Sequence, residues 1–175
     1  MREETADGTE LAHRSHHMTF TRYTFSDAHF LPIYADRLIF ANRFAFEAIA
    51  GDAPYYAFGD FAGERRTHAV GGSQSLRGYQ SRRFQDKIKL ITLTELRFKY
   101  RHFRFMSQTF DLILVAFFDN GRVWHRWADL SFDGFHTTVG AGVWLNWNNG
   151  MIIRLDMGHS PEETLIAFLR LRTAF

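Results

Sequence analysis

"IKLITLTELRFKYR", Ile88 to Arg101, decides how this chain is built. Glu95, Arg97, Lys99 and Arg101 fall on one face of an extended strand, and Leu96, Phe98 and Tyr100 fall on the other. A period of two signals β-structure, because successive side chains of a strand point to opposite sides. The pattern recurs on both sides of this stretch. In "RLIFANRFAFEAI", Arg37, Arg43 and Glu47 oppose Leu38, Phe40, Phe44 and Phe46. In "VGAGVWLNW", Val139, Ala141, Val143, Leu145 and Trp147 oppose Gly140, Gly142, Trp144 and Asn146. "MIIRLDM" sets Met151, Ile153, Leu155 and Met157 against Arg154 and Asp156, and the last run sets Leu165, Ala167, Leu169 and Leu171 against Phe168, Arg170 and Arg172. Residues 110–118 are apolar on both faces, and 17–30 alternates loosely. The expectation is all-β: an antiparallel meander of about seven strands, without helices.

The connections carry a second pattern. Short links around Leu31–Asp36 and after residue 101 alternate with long ones, Gly51 to about Lys87 and Asp119 to about Phe135. "NWNNGM" reads as a tight Asn-Gly hairpin, whose two central residues take positive φ. Short turns at one rim and longer loops at the other are how transmembrane β-barrels are built.

Composition leaves the sidedness open. In 175 residues, Lys+Arg is 21 against Asp+Glu 19, a balance that does not advertise nucleic acid. There is no cysteine, hence no disulfide, thiolate zinc site or cysteine nucleophile. Aromatics make up 17%, with 19 phenylalanines, yet eighteen apolar residues nowhere run uninterrupted, so no transmembrane helix is expected. A soluble β-sandwich or small barrel acting as a binding module would bury the apolar faces, and it is the commoner arrangement. A membrane barrel inverts them, with Leu, Phe and Val toward lipid and Arg, Lys and Glu toward a wet lumen. Alternating loop lengths favour the barrel. So do Trp144 and Trp147, placed near a short turn where a headgroup girdle would lie.

One stretch adds a motif: "GGSQSLRGYQSRRFQDK", residues 71–87, inside the longest link. With "ELRF", "FFDNGRVW", "GAGVWL", "IIRLDMG" and a final phenylalanine following in order, the chain from Gly51 to Phe175 resembles the outer-membrane surface-antigen superfamily. This superfamily takes in barrel-assembly proteins, translocation-assembly proteins and two-partner secretion pores. The resemblance implies a sixteen-strand barrel whose sixth outer loop folds into the lumen. That loop carries the arginine motif, matched here by Leu76, Arg77, Gly78 and Tyr79. In the family the arginine pairs with acidic residues on the next two strands, matched by Glu95 and Asp119. The resemblance also implies an insertion signal in the last strand, read by the barrel-assembly machinery and matched by Leu169, Leu171 and Phe175. Thr173 interrupts its apolar series.

The bland readings are specific. Arg77 could be a solvated loop arginine, Glu95 an ordinary cross-strand partner of Arg97 or of a lysine on a neighbouring strand, and Asp119 an Asp-Asn-Gly turn residue closing its strand. The last strand could be a plain edge strand. Residues 1–16 read as a polar leader or outer loop, with no apolar core of a signal peptide. Their cluster of His13 and His16, with His17 next to it, has no carboxylate at ligand spacing. Residues 17–175 read as the C-terminal segment of a barrel, with 51–87 inserted in its lumen. "GGSQS" lacks the lysine and helix of a phosphate loop, and no nucleophile elbow is present. No enzyme activity and no cofactor are expected. The expected partners are outer-membrane lipid, the barrel-assembly machinery and client outer-membrane or secreted proteins. Single-chain bacterial barrels carry an even number of strands, at least eight. Seven therefore suggest part of a larger outer-membrane protein of the insertion and translocation superfamily, unable to close alone.

Overall fold

A computed structural model describes residues 18–61 and 69–173, and they form a single sheet. Its strands are β1 (Phe20–Tyr34), β2 (Leu38–Gly51), β3 (Ile88–Phe105), β4 (Gln108–Trp124), β5 (His136–Trp147), β6 (Met151–His159) and β7 (Ile166–Thr173). They lie in sequence order and every neighbouring pair is antiparallel, so the chain is an all-β meander. The described residues hold no α-helix, only short 3-10 turns at Tyr55–Gly59 and Trp127–Asp129. β1 and β7 are the sheet edges among the described residues. The polar start with its histidines, residues 62–68 of the long link, and Phe175 lie outside the described residues.

Several boundaries differ from the sequence expectation. β1 continues to Tyr34, which reduces the Leu31–Asp36 link to a turn at Ala35–Arg37. β4 does not close at Asp119 but runs on to Trp124. "DNG" is a turn signal in isolation, yet Asn120 pairs with Thr92 on one side and Thr137 on the other, and Gly121 with Ile91 and His136. A central strand offers ladder partners on both edges, and these outweigh local preference. The hairpin after β6's predecessor also shifts: the positive-φ pair is Asn148 (49°) and Asn149 (55°), with Gly150 after it. The β3–β4 turn has the same handedness at Met106 (47°) and Ser107 (62°), matching the twist of the paired strands.

A bulge breaks the β3–β4 register between Lys99 and Arg101. An extra residue in one strand reverses which side chains face which way beyond it. Arg101 pairs with Leu112 on the apolar face, away from Glu95 and Arg97. Beyond the bulge His102 and Arg104 occupy the polar face in its place. The sequence expectation for Arg101 is thereby corrected.

The two faces are inverted relative to a soluble protein. On one lie Leu96, Phe98, Phe118, Val139, Leu155 and Met157, all exposed, and Leu169 and Leu171 are 73% and 70% accessible. The other buries Glu47, Lys89, Glu95, Asp119, Arg154 and Asp156. Among the described residues no second sheet covers the apolar face, which a soluble sandwich would require. Along β4 the outward-facing apolar residues from Phe110 to Phe118 span about 27 Å, about 21 Å of depth at a strand tilt of about 40°, close to the apolar band of a membrane barrel, about 25 Å. At its short-turn end the rings of Phe103, Phe110 and Trp147 stack at 5.2 and 5.8 Å, an aromatic belt of interfacial character. Trp144 is not part of it. It lies on the polar face, 4% exposed, because β5 alternates and Trp144 is in phase with Gly142 and Thr138 rather than Trp147.

Candidate functional site

The link from β2 to β3 lies against the polar face. Phe61, Val70, Leu76 and Tyr79 of the link form one buried apolar cluster with Ala45 of β2 and Ile91 of β3. A bridge between Val70 and Phe84 closes the arm into a loop whose tip is the Leu-Arg-Gly-Tyr stretch. Leu76 enters the cluster over Gly121. A β-carbon at Gly121 would stand 2.6 Å from Leu76 Cδ1 and 2.9 Å from Val70 Cγ1. The turn-like "DNG" is thus a strand segment that makes room for the loop.

Burying Leu76 drives the next residue toward the wall, and Arg77 is 2% exposed. Its Nε donates to Asp119 Oδ2 at 2.8 Å and its Nη2 to Oδ1 at 2.7 Å, a bidentate fork. Its backbone N–H donates to Oδ2 at 3.2 Å, and Nη1 donates to Glu95 Oε1 at 2.7 Å. The guanidinium stacks 3.5 Å over the ring of Phe117, a favourable cation–π contact where water is excluded. Burial alone would pull the Arg77 pKa down, but the hydrogen bond and charge of Asp119, with Glu95 adding, hold it above its ordinary value. The register explains the convergence. Asp119 pairs with Leu93 and Phe117 pairs with Glu95, so both acids and the ring share one face of adjacent strands.

Glu95 serves two arginines. Its Oε2 accepts from Arg97 Nε at 2.7 Å while Oε1 takes Arg77, so a pair within β3, rather than the expected cross-strand one, coexists with the loop contact. The network continues along the polar face. Arg154 lies 3.7 Å from Glu95 and 3.2 Å from Asp156, and Arg170 donates to Asp156 at 2.8 Å. Trp144 Nε1 donates to Asp156 at 2.8 Å, and Arg154 stacks 3.6 Å over the Trp144 ring.

Gly78 packs by close approach. A β-carbon there would lie 2.7 Å from Thr138 Cγ2, and one at Gly158 would lie 2.6 Å from the Arg77 carbonyl oxygen. Two glycines from loop and wall let the backbones touch. Gly78 N–H donates to Thr138 Oγ1 at 3.2 Å, and Ser160 Oγ donates to the Gly78 carbonyl at 2.9 Å. Tyr79 is buried, its ring edge-on to Phe84 (5.2 Å) and His136 (5.8 Å), its hydroxyl 3.4 Å from Glu162 Oε1. Burial pushes the Tyr79 phenol up, so it remains a proton donor.

A second ionic anchor holds the front arm of the loop. Lys89 and Glu47, both fully buried, pair at 2.6 Å. Lys89 Nζ also donates to the carbonyls of Asp60 (2.7 Å) and Phe58 (3.1 Å), and Arg22 donates to that of Ala57 (2.7 Å). The carbonyls of Ala57, Phe58 and Asp60 are thereby each met by a cationic donor.

Sequence reasoning named Leu76, Arg77, Gly78, Tyr79, Glu95 and Asp119, and the structure brings all six together. Leu169 and Leu171 lie far from them, exposed on the apolar face of β7. The partners Phe117, Thr138, Gly158 and Ser160, the Trp144–Arg154–Asp156–Arg170 cluster and the Glu47–Lys89 anchor were missed. Parity had put Glu47, Arg154, Asp156 and Arg170 on the polar face, and that was the usable signal. Pairing across strands requires a register that parity does not supply. No three metal-ligating side chains cluster among the described residues.

Residues 8–159 match the family described as the Omp85 superfamily domain. No curated protein and no solved structure matches the chain.

Proposed function

The chain belongs to the Omp85 superfamily of outer-membrane insertion and translocation proteins, and from that premise we propose that it contributes wall to a barrel that inserts or translocates client proteins. The carrying observation is the buried Arg77, tied to two wall acids by a loop on the polar face of a sheet whose apolar face is bare. A charge cluster of that density is tolerable beside a wet lumen and costly in a dry centre. The arginine motif acts as a latch that keeps the loop in the lumen, and its role is structural rather than catalytic. Asp119 turns both oxygens to Arg77, the geometry of a structural ion pair.

β1 and β7 run in the same direction, being the first and last of an antiparallel series of seven. An antiparallel sheet that closes on these two edges therefore takes an odd number of further strands. Open edges are not sustained in lipid, where each unpaired backbone group costs several kcal/mol. The exposed Leu169 and Leu171 are part of the surface through which the barrel-assembly machinery would take up β7.

Membrane fractionation tests the reading. The protein is expected to pellet with outer membranes and resist urea extraction, and its deletion to deplete particular outer-membrane or secreted proteins. A soluble monomer defeats the membrane assignment. Unchanged levels of every such protein defeat the client role.

A further inference from the structure

The apolar face carries an arginine toward each rim, Arg101 beyond the β3–β4 bulge and Arg122 beside the β4–β5 link. Arg122 lies on that face in phase with Phe118 and Trp124, pairing with Leu90. Among the described residues no carboxylate meets it, and its buried Nη1 has no hydrogen-bond partner. Its one ring contact is Trp124, 5.5 Å from the guanidinium carbon. Gly134 of the β4–β5 link packs against Nη1, where an added β-carbon would stand 3.0 Å away, while Arg122 as a whole stays partly accessible, so the open side of its guanidinium can receive an anion.

A groove lies lower on the same face. It is an open depression of about 470 Å³ lined by the small Ala116 and Ala141 together with Leu96, Phe98, Leu114 and Leu155. Ala116 and Arg122 are six residues apart on one strand, about 20 Å. With a strand tilt of about 40°, that is about 15 Å of depth, half of a hydrocarbon core about 30 Å thick. The cation therefore sits at headgroup height when the groove sits at chain-end height. Above them the link between β4 and β5 folds over the same face, with Trp127 6.2 Å from Phe46 and Phe135 6.0 Å from Trp124. Interfacial tryptophans of this kind mark the headgroup level.

We propose that this face carries a binding site for a phosphorylated lipid of the leaflet at the long-loop rim, its phosphate on Arg122 and an acyl chain in the Ala116–Ala141 groove. This rests on the membrane-barrel reading. Charge and shape select the occupant: a neutral lipid leaves Arg122 unpaired, and a free anion leaves the groove empty.

The test uses the full chain in detergent micelles doped with dimyristoyl phosphatidate or with dimyristoylglycerol, and native mass spectrometry to count retained lipid. Wild type is expected to retain phosphatidate over the glyceride. Arg122→Gln should lower phosphatidate retention about tenfold and leave the glyceride unchanged, while Arg122→Lys, which keeps the charge, should retain most of it. Ala141→Phe, which fills the groove, should lower both. Equal retention of phosphatidate by wild type and Arg122→Gln overturns the proposal, and so does equal retention of phosphatidate and the glyceride by wild type, a comparison that needs no folded variant. So does full competition by inorganic phosphate, which would make this a free-anion site, or selective occupancy by a protein partner. A chain that never enters micelles overturns the membrane reading as well. A chain that enters them but ignores the phosphate overturns the lipid site alone.

Discussion

Arg77 and Asp119 are joined by a fork in which Nε and Nη2 each hold a different carboxylate oxygen, at 2.8 and 2.7 Å, with the Arg77 backbone N–H added at 3.2 Å. Forty-two residues separate them in sequence, so the contact closes the loop on the wall. Removing one member strands a buried charge, a loss of about 3–5 kcal/mol. Arg77→Glu should abolish heat-resistant electrophoretic migration of the inserted protein. Adding Asp119→Arg should restore part of it. If the single change leaves migration intact, Arg77 is no latch.

The close approach of Gly78 to the wall makes a steric prediction. Gly158→Val places a side chain where the Arg77 carbonyl oxygen lies, 2.6 Å from the first added carbon. Backbone cannot yield as a side-chain end can, so the tip should lift and expose residues 71–84 to protease. Limited proteolysis of the inserted protein reads this directly. Protection equal to wild type would mean that the tip is held without this contact.

The Glu47–Lys89 anchor separates loop docking from wall stability. Lys89→Met takes the ammonium from buried Glu47 and leaves it Arg22 at 3.9 Å and Thr24 Oγ1 at 3.1 Å, so a loss below the about 3–5 kcal/mol of a fully broken buried pair is expected. Glu47→Leu in the same chain removes the less well compensated charge and should recover most of that stability, since apolar replacement of a buried pair is often neutral. The double variant still lacks the donors to the Phe58 and Asp60 carbonyls. Its front arm should therefore stay protease-sensitive while its thermal transition returns toward wild type. An arm as protected as in wild type would show that these carbonyl contacts are dispensable.

Strand alternation was readable because it is a local property, and so was the all-β meander that follows from it. The Leu-Arg-Gly-Tyr stretch with Glu95 and Asp119 was readable from a resemblance, which carries long-range pairing that no window of residues contains. What escaped was register. The bulge between Lys99 and Arg101 moves Arg101 to the apolar face, and nothing in "FKYRH" announces it. Trp144 looked interfacial by its distance from the turn, but its parity puts it on Asp156. Asp119 looked like a turn residue because neighbouring strands, not "DNG" itself, decide where β4 ends.

The inverted faces make the last prediction depth-dependent. Leu114 lies at the middle of the apolar run on β4, and Phe110 lies at its short-turn end beside Trp147. In lipid an arginine at mid-depth costs about 2–4 kcal/mol, falling to about 0–1 kcal/mol near the interface. Leu114→Arg should therefore depress folding into vesicles far more than Phe110→Arg, measured by denaturant titration of the inserted protein. A sheet that packed this face against protein would penalise both alike, because each would bury a charge without a partner. Equal penalties at the two depths, or none at either, would remove the lipid from the apolar face, and with it the reason for placing Arg77, Glu95 and Asp119 on a watery inner wall.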